Sequence, residues 1–179
     1  MRKILITAGL TLAAVIALIL VVAAFKPADY SVSRSIVIAA PPEKIDPLFN
    51  DFHNFASWSP WQSLDPNMTV GYSGAASGPG AMYTWDGNSK AGKGSMIILS
   101  SSKFQTKVAV NFVKPFENSF IATYDLTPQP DNGGTRVTWT MTGKENYMSK
   151  VMTVFVSMDK MVGGDFERGL ASMKQVAEH

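Results

Sequence analysis

From Ile4 to Phe25 the chain reads ILITAGLTLAAVIALILVVAAF, with no charged residue. About 20 apolar residues in a row span a bilayer as a helix. A segment of this kind can sit in lipid or be removed; it does not join the core of a small soluble domain. A cleaved signal peptide has a basic start, a shorter apolar core and a small-residue cleavage site. Val22-Ala23-Ala24 would serve as that site. The run is longer than a usual signal core, which favours an uncleaved anchor. Arg2 and Lys3 precede it, and positive flanks stay in the cytoplasm. The expected arrangement is a single pass through a bacterial inner membrane, with the domain facing the periplasm or the exterior. Cleavage after Ala24 would release a secreted form. Residues 1–26 are thus an anchor or signal segment, and 27–179 form one domain.

The formal net charge of +2 misleads, because Arg2, Lys3 and Lys26 flank the apolar run. Outside it, 13 basic residues face 14 acidic ones. No basic field remains to attract nucleic acid. The chain has no Cys, so no disulfide supports the fold and neither thiol catalysis nor thiolate metal sites are available.

Tyr30 to Ile38 alternates apolar and polar: Val32, Ile36 and Ile38 share a parity, with Arg34 the exception. This is a strand pattern. Pro41-Pro42-Glu43 opens a helix, where proline and an acid suit the first turn. Pro47 interrupts it unless it starts a second one, so a pair of short helices ending near Phe55 is expected. Strand-like segments follow at Met68–Tyr72, Ala81–Asp86, Gly94–Ser101, Phe104–Phe112, Phe116–Leu126 and Thr135–Thr142. Gly, Asn and Pro groups separate them, as in antiparallel hairpins. From Phe155 to Val176 apolar residues step by three or four, which predicts a long C-terminal helix, with Gly163-Gly164 marking a bend or a close approach to the sheet.

This order carries specific words: Trp58-Ser-Pro-Trp61, Tyr83-Thr-Trp85-Asp-Gly87, Gly92-Lys-Gly94-Ser-Met96, Gly134-Thr-Arg-Val-Thr-Trp139 and Gly164-Asp-Phe166-Glu-Arg-Gly-Leu170. Together they resemble the START/Bet v 1-like (SRPBCC) superfamily, in its polyketide cyclase/dehydrase-like branch, over roughly residues 30–178. The resemblance implies an α+β helix-grip fold. In it a seven-stranded antiparallel sheet wraps around a long C-terminal helix, with two short helices after strand 1. It also implies an elongated internal cavity for a hydrophobic small molecule or lipid. The branch name does not by itself license an enzymatic activity.

Strand parity selects the face that would line such a cavity. Tyr83 and Trp85 point one way from one strand, Val137, Trp139 and Met141 from another. Phe112 ends a third row and Tyr124 lies in a fourth; Phe155, Met158, Val162 and Phe166 would face them from the helix. The implied ligand-binding residues are Trp58, Trp61, Tyr83, Trp85, Phe112, Tyr124, Trp139, Met158 and Phe166. For Trp58 and Trp61, placed irregularly around Pro60, two readings stand: they contact a guest at the cavity mouth, or they plug the end of the core.

Signs of catalysis are thin. His53 has Asp51 only as an i,i+2 neighbour, which points elsewhere on a helix, and His179 ends the chain. A surface or capping role is expected for His53. Asp86-Gly87-Asn88 reads as a turn, and by parity Arg136 faces away from Trp139. No catalytic residue, metal or cofactor is assigned. The expectation is membrane-tethered binding of an apolar guest with no nucleic-acid partner and an unknown protein partner. The alternative is a cyclase- or dehydratase-like enzyme using the same cavity, which requires a titratable group deep inside it.

Overall fold

The computed structural model describes residues 2–130 and 133–179. Asp131 and Asn132, part of the turn expected at 130–134, lie outside the described residues. Helix α1 (Arg2–Phe25) is followed by strand β1 (Asp29–Ile38) and two one-turn helices, α2 (Pro42–Ile45) and α3 (Pro47–Asn50). Each short helix starts on a proline, whose missing N–H costs nothing in a first turn. Two 3-10 turns, Phe52–Ser57 and Gln62–Leu64, carry the chain to β2 (Thr69–Gly74). Then come β3 (Ala81–Asp86), β4 (Lys93–Ser102), β5 (Gln105–Lys114), β6 (Asn118–Gln129) and β7 (Gly134–Lys144). Helices α4 (Tyr147–Thr153) and α5 (Met158–Glu178) complete the chain.

The strands form one antiparallel sheet in the order β1-β7-β6-β5-β4-β3-β2. Register breaks at Lys93/Gly94 and Ile98/Ser100 bend β4, and such bulges let a sheet curl. The inner face carries the alternate residues that parity selected: Tyr83 and Trp85, Val108 and Val110, Ala122, Tyr124 and Leu126, Val137, Trp139 and Met141 are all buried. This is the helix-grip architecture, with α5 packed chiefly against β1.

Helix α5 runs in the same direction as β1: Arg34 lies by its start and Ala39 by its end. At its far end the Glu178 carboxylate accepts from the Ala39 N–H at 2.6 Å, and Lys174 donates to the Val37 carbonyl at 3.0 Å. Its buried side chains, Phe166, Leu170, Met173 and Ala177, begin at its third turn. In the earlier part Met158 and Val162 are only half-buried and Met161 is exposed. There Arg34 grips the helix from below. It donates to Asp159 at 2.7 Å and to Glu167 at 2.8 Å. A Cβ at Gly163 would collide with the guanidinium. Gly163 is therefore a close approach, not a bend, and the approaching group is Arg34, the residue that broke the strand parity.

One local expectation is corrected. The C-terminal helix starts at Met158, because the Ser157 hydroxyl accepts from the Lys160 N–H and caps it. Phe155 consequently sits in the turn before the helix, 69% exposed, and does not face the sheet. Ahead of it, α4 is a separate helix capped by Asn146.

Candidate ligand-binding face

All nine sequence-predicted site residues lie in one apolar cluster on the inner face of the sheet. Trp58, Tyr83, Trp85, Tyr124, Trp139 and Phe166 are buried; Trp61, Phe112 and Met158 are half-buried against them. One set of rings is centred on Trp139. Phe166 from α5 stacks on it with centroids 4.0 Å apart, and Trp58 and Trp61 meet it edge-on at 5.4 and 5.6 Å. A second set runs Tyr83, Trp85, Phe112, Phe120 along the sheet. Phe55 touches both Trp58 and Tyr83 and joins the two. Edge-on and offset contacts of this kind suit the ring quadrupole.

The irregular Trp58–Trp61 segment thus has two roles. Trp58 is 1% exposed, and its indole N–H donates to the Leu48 carbonyl, pinning α3 to the sheet. Trp61, on the other side of Pro60, is only half-buried and meets the stacked pair of Trp139 and Phe166 edge-on. Glycines make room for large side chains on this face. Trp85 pairs with Gly94 and Tyr30 with Gly143, and a Cβ at either glycine would run into the ring opposite.

Tyr30 and Phe120 belong to the half-buried rim as well; Phe120 heads the inward row of Tyr124 that parity selects, whereas Tyr30 was not singled out from the sequence. The signal was available: Tyr30 continues the inward row of Val32. By register Tyr30, Gly143, Phe120, Asn118 and Phe112 fall at one end of the sheet, the end where α5 begins. Two concavities on the domain are open grooves. One, of about 480 Å³, lies along Asp29–Ser31 and Thr142–Lys144; the other, of about 360 Å³, lies between α2 and the β4–β5 hairpin. No residue of α5 lines either; Phe166, Leu170, Met173 and Ala177 of α5 are buried against the sheet.

Two polar atoms on this face are buried without a hydrogen-bond partner among the described residues: Trp139 Nε1 and the Tyr30 hydroxyl. Asn118 lies beside the Tyr30 hydroxyl but makes no bond of ordinary geometry with it. Burial pushes the Tyr30 phenol up, pushes Tyr83 up to about 12 and pushes Tyr124 higher still. All are neutral at physiological pH. The unfolded chain would ionise these phenols near pH 10. The raised folded values therefore mean that stability is intact below about pH 10 and is lost as pH climbs through 12. Ionisation of Tyr30, Tyr83 and Tyr124 and loss of circular dichroism should move together in that window; all five tyrosines of the chain titrating freely near pH 10 with the fold intact would contradict the burial.

The buried acids are committed elsewhere. Asp65 accepts from the Asn67 and Asn88 N–H groups at 3.0 and 2.7 Å. Glu145 holds Lys26 at 3.2 Å and Thr153 at 2.7 Å. His53 is exposed, stacked on Tyr72 and 2.8 Å from Asp51. The i,i+2 objection fails because Asp51 caps the 3-10 turn and does not ride on a helix. Arg136 is exposed on the outer face. Among the described residues no group of three or more His, Cys, Asp or Glu is placed to hold a metal ion.

Residues 29–178 match the family profile described as "Polyketide cyclase / dehydrase and lipid transport". No curated protein matches the chain in sequence. Several solved structures share the fold. An uncharacterised Bacillus thuringiensis protein superposes with a TM-score of 0.59 at 13% identity, covering 84% of this chain and 100% of that one. A Nitrosospira multiformis protein gives 0.57 at 19% identity, covering 82% and 94%. The Aha1 dimer protein of Colwellia psychrerythraea gives 0.57 at 16%, covering 83% and 96%. At such identities the likeness concerns the fold alone.

Proposed function

Because the chain belongs to the polyketide cyclase / dehydrase and lipid transport family, we propose that it binds a hydrophobic small molecule or lipid between the sheet and the first half of α5, tethered to a membrane by α1. The helix is long and apolar enough to cross a bilayer; a signal sequence would pass the same test. On this reading it is retained, with the domain outside the cytoplasm of a bacterial cell. The contacting residues are the nine aromatic and Met positions of the inner face, with Tyr30 and Phe120 at the rim.

The observation that carries the reading is the buried Trp139 indole N–H with no partner in an otherwise apolar wall. Leaving such a group unsatisfied costs about 1–3 kcal/mol. A guest with an ester, carboxyl or hydroxyl oxygen beside an apolar body would satisfy it while covering the rings. Entry requires a moving part, and the first half of α5 supplies one: half-buried Met158 and Val162 above, and the exposed Arg34–Asp159–Glu167 pairing as its main polar hold. Exposed ion pairs are weak holds.

Native mass spectrometry of the full chain released from detergent tests this. A co-purifying apolar molecule is expected on the wild-type protein. Occupancy should fall in Trp139→Phe, which keeps the ring contact and loses the donor. Release should be faster in Arg34→Ala. A folded wild-type protein that carries no guest, and whose tryptophan fluorescence ignores an added brominated fatty acid, would overturn the proposal.

A further inference from the structure

Helix α4 was not foreseen in the sequence, and nothing in the ligand-binding face uses it. It packs against α1. The Tyr147 hydroxyl donates to the Leu20 carbonyl at 2.9 Å, five residues before α1 ends. At 1.5 Å per residue that is about 7 Å inside the end of the apolar helix. Just beyond α1, Lys26 donates to the Glu145 carboxylate and to the Thr153 carbonyl at 3.1 Å, so the end of the span is fastened to both ends of α4. Yet the side chains that α4 and its following turn present are apolar and open: Met148, Met152, Phe155 and Val156 are 45–69% exposed.

A second apolar projection lies at the same end of the sheet. β1 starts opposite Lys144, Gly143 pairs with Phe120, and Phe112 pairs with Asn118 across the β5–β6 hairpin. The turn of that hairpin carries Phe116, 73% exposed. Lys114, Lys144 and Lys150 flank these projections. Apolar side chains among lysines, at the sheet end where the chain leaves α1 and where α4 packs on its last turns, match the headgroup boundary, where aromatic rings and lysines settle.

We infer that α4, its following turn and the Phe116 hairpin tip form a second membrane contact, seated in the headgroup layer of the bilayer that α1 crosses. This rests on the reading of α1 as a retained span. It deepens the binding proposal, because the half-buried rim of Tyr30, Phe112 and Phe120 and the loosely held start of α5 share this end. The opening therefore faces lipid, and a lipid guest can pass from bilayer to sheet without crossing water.

The chain has no Cys, so single cysteines report position directly. A bimane label is placed at Phe116→Cys and at Met152→Cys, with Ser102→Cys on the opposite sheet end as the aqueous reference and Ala13→Cys as the span reference. The full chain is reconstituted in phosphatidylcholine–phosphatidylglycerol vesicles. Labels at 116 and 152 should be blue-shifted and quenched several-fold more than the label at 102 by a nitroxide placed near the headgroup, and the label at 13 by a nitroxide deep in the acyl chains. If 116 and 152 are as open to aqueous iodide as 102 while 13 is quenched at depth, the docking is wrong and the tether stands. If 13 is not quenched at depth, the tether and the docking fall together.

Discussion

Replacing Trp58 with alanine is expected to remove about 3–5 kcal/mol of stability, the usual cost of emptying a buried Trp site. Domains of this kind have about 5–15 kcal/mol in total, so the variant sits near the edge of folding. The ring contacts Phe55, Tyr124 and Trp139, and its N–H holds Leu48. Three consequences therefore combine: a void at the junction of the two aromatic sets, a bare Leu48 carbonyl, and a released α3. Trp58→Phe separates them, since it keeps most of the volume and leaves only the carbonyl unpaired, at about 1–3 kcal/mol. Trp61→Ala is the control. It is half-buried, so its loss should be clearly smaller. Denaturant unfolding of the full chain in detergent measures all three; equal losses for Trp58→Ala and Trp61→Ala would remove Trp58 from its central place.

Glu145→Ala is expected to cost about 3 kcal/mol, the low end for breaking a buried ion pair by removing one partner, because Lys26 still reaches water. The Glu145 side chain is 3% exposed and that of Lys26 30%. The carboxylate is the common acceptor for Lys26 and the Thr153 hydroxyl, and the Glu145 N–H donates to the Ala28 carbonyl at 2.8 Å. Its loss should free the linker and α4 together while leaving the sheet intact. Hydrogen exchange provides the test: amides of 147–153 should lose protection, and those of β5 and β6 should keep it. Glu145→Gln retains an acceptor for Thr153 and should lie between the two. Uniform loss of protection across the sheet would mean that the pair stabilises the domain at large and not this junction.

Much of the fold was legible because it follows from short-range rules. Seven strands show as period-two alternation between turn residues, and the inward face follows from parity alone. The one parity break, Arg34, could be seen but not explained. Its partners Asp159, Glu167 and Gly163 are more than 120 positions away, and only the passage of α5 along β1 brings them together. Phe155 was misplaced for a related reason: its spacing fits a helical row, but Ser157 caps the helix after it. Trp58 and Trp61 are indistinguishable as letters, and their different burial is set by which side of Pro60 meets the sheet.

The sequence by itself determined what is additive along the chain: a bilayer-length apolar run, the alternation that builds one curled sheet, and the aromatic residues on its inner face. Tertiary structure alone decided what depends on distant residues meeting. It seated the later half of α5 on the sheet and left its first half held by an exposed ion cluster. It buried Glu145 against Lys26 and set α4 against the last turns of α1. Hydrophobic period is a property of neighbours, whereas packing and ion pairing are properties of a register that no local pattern encodes.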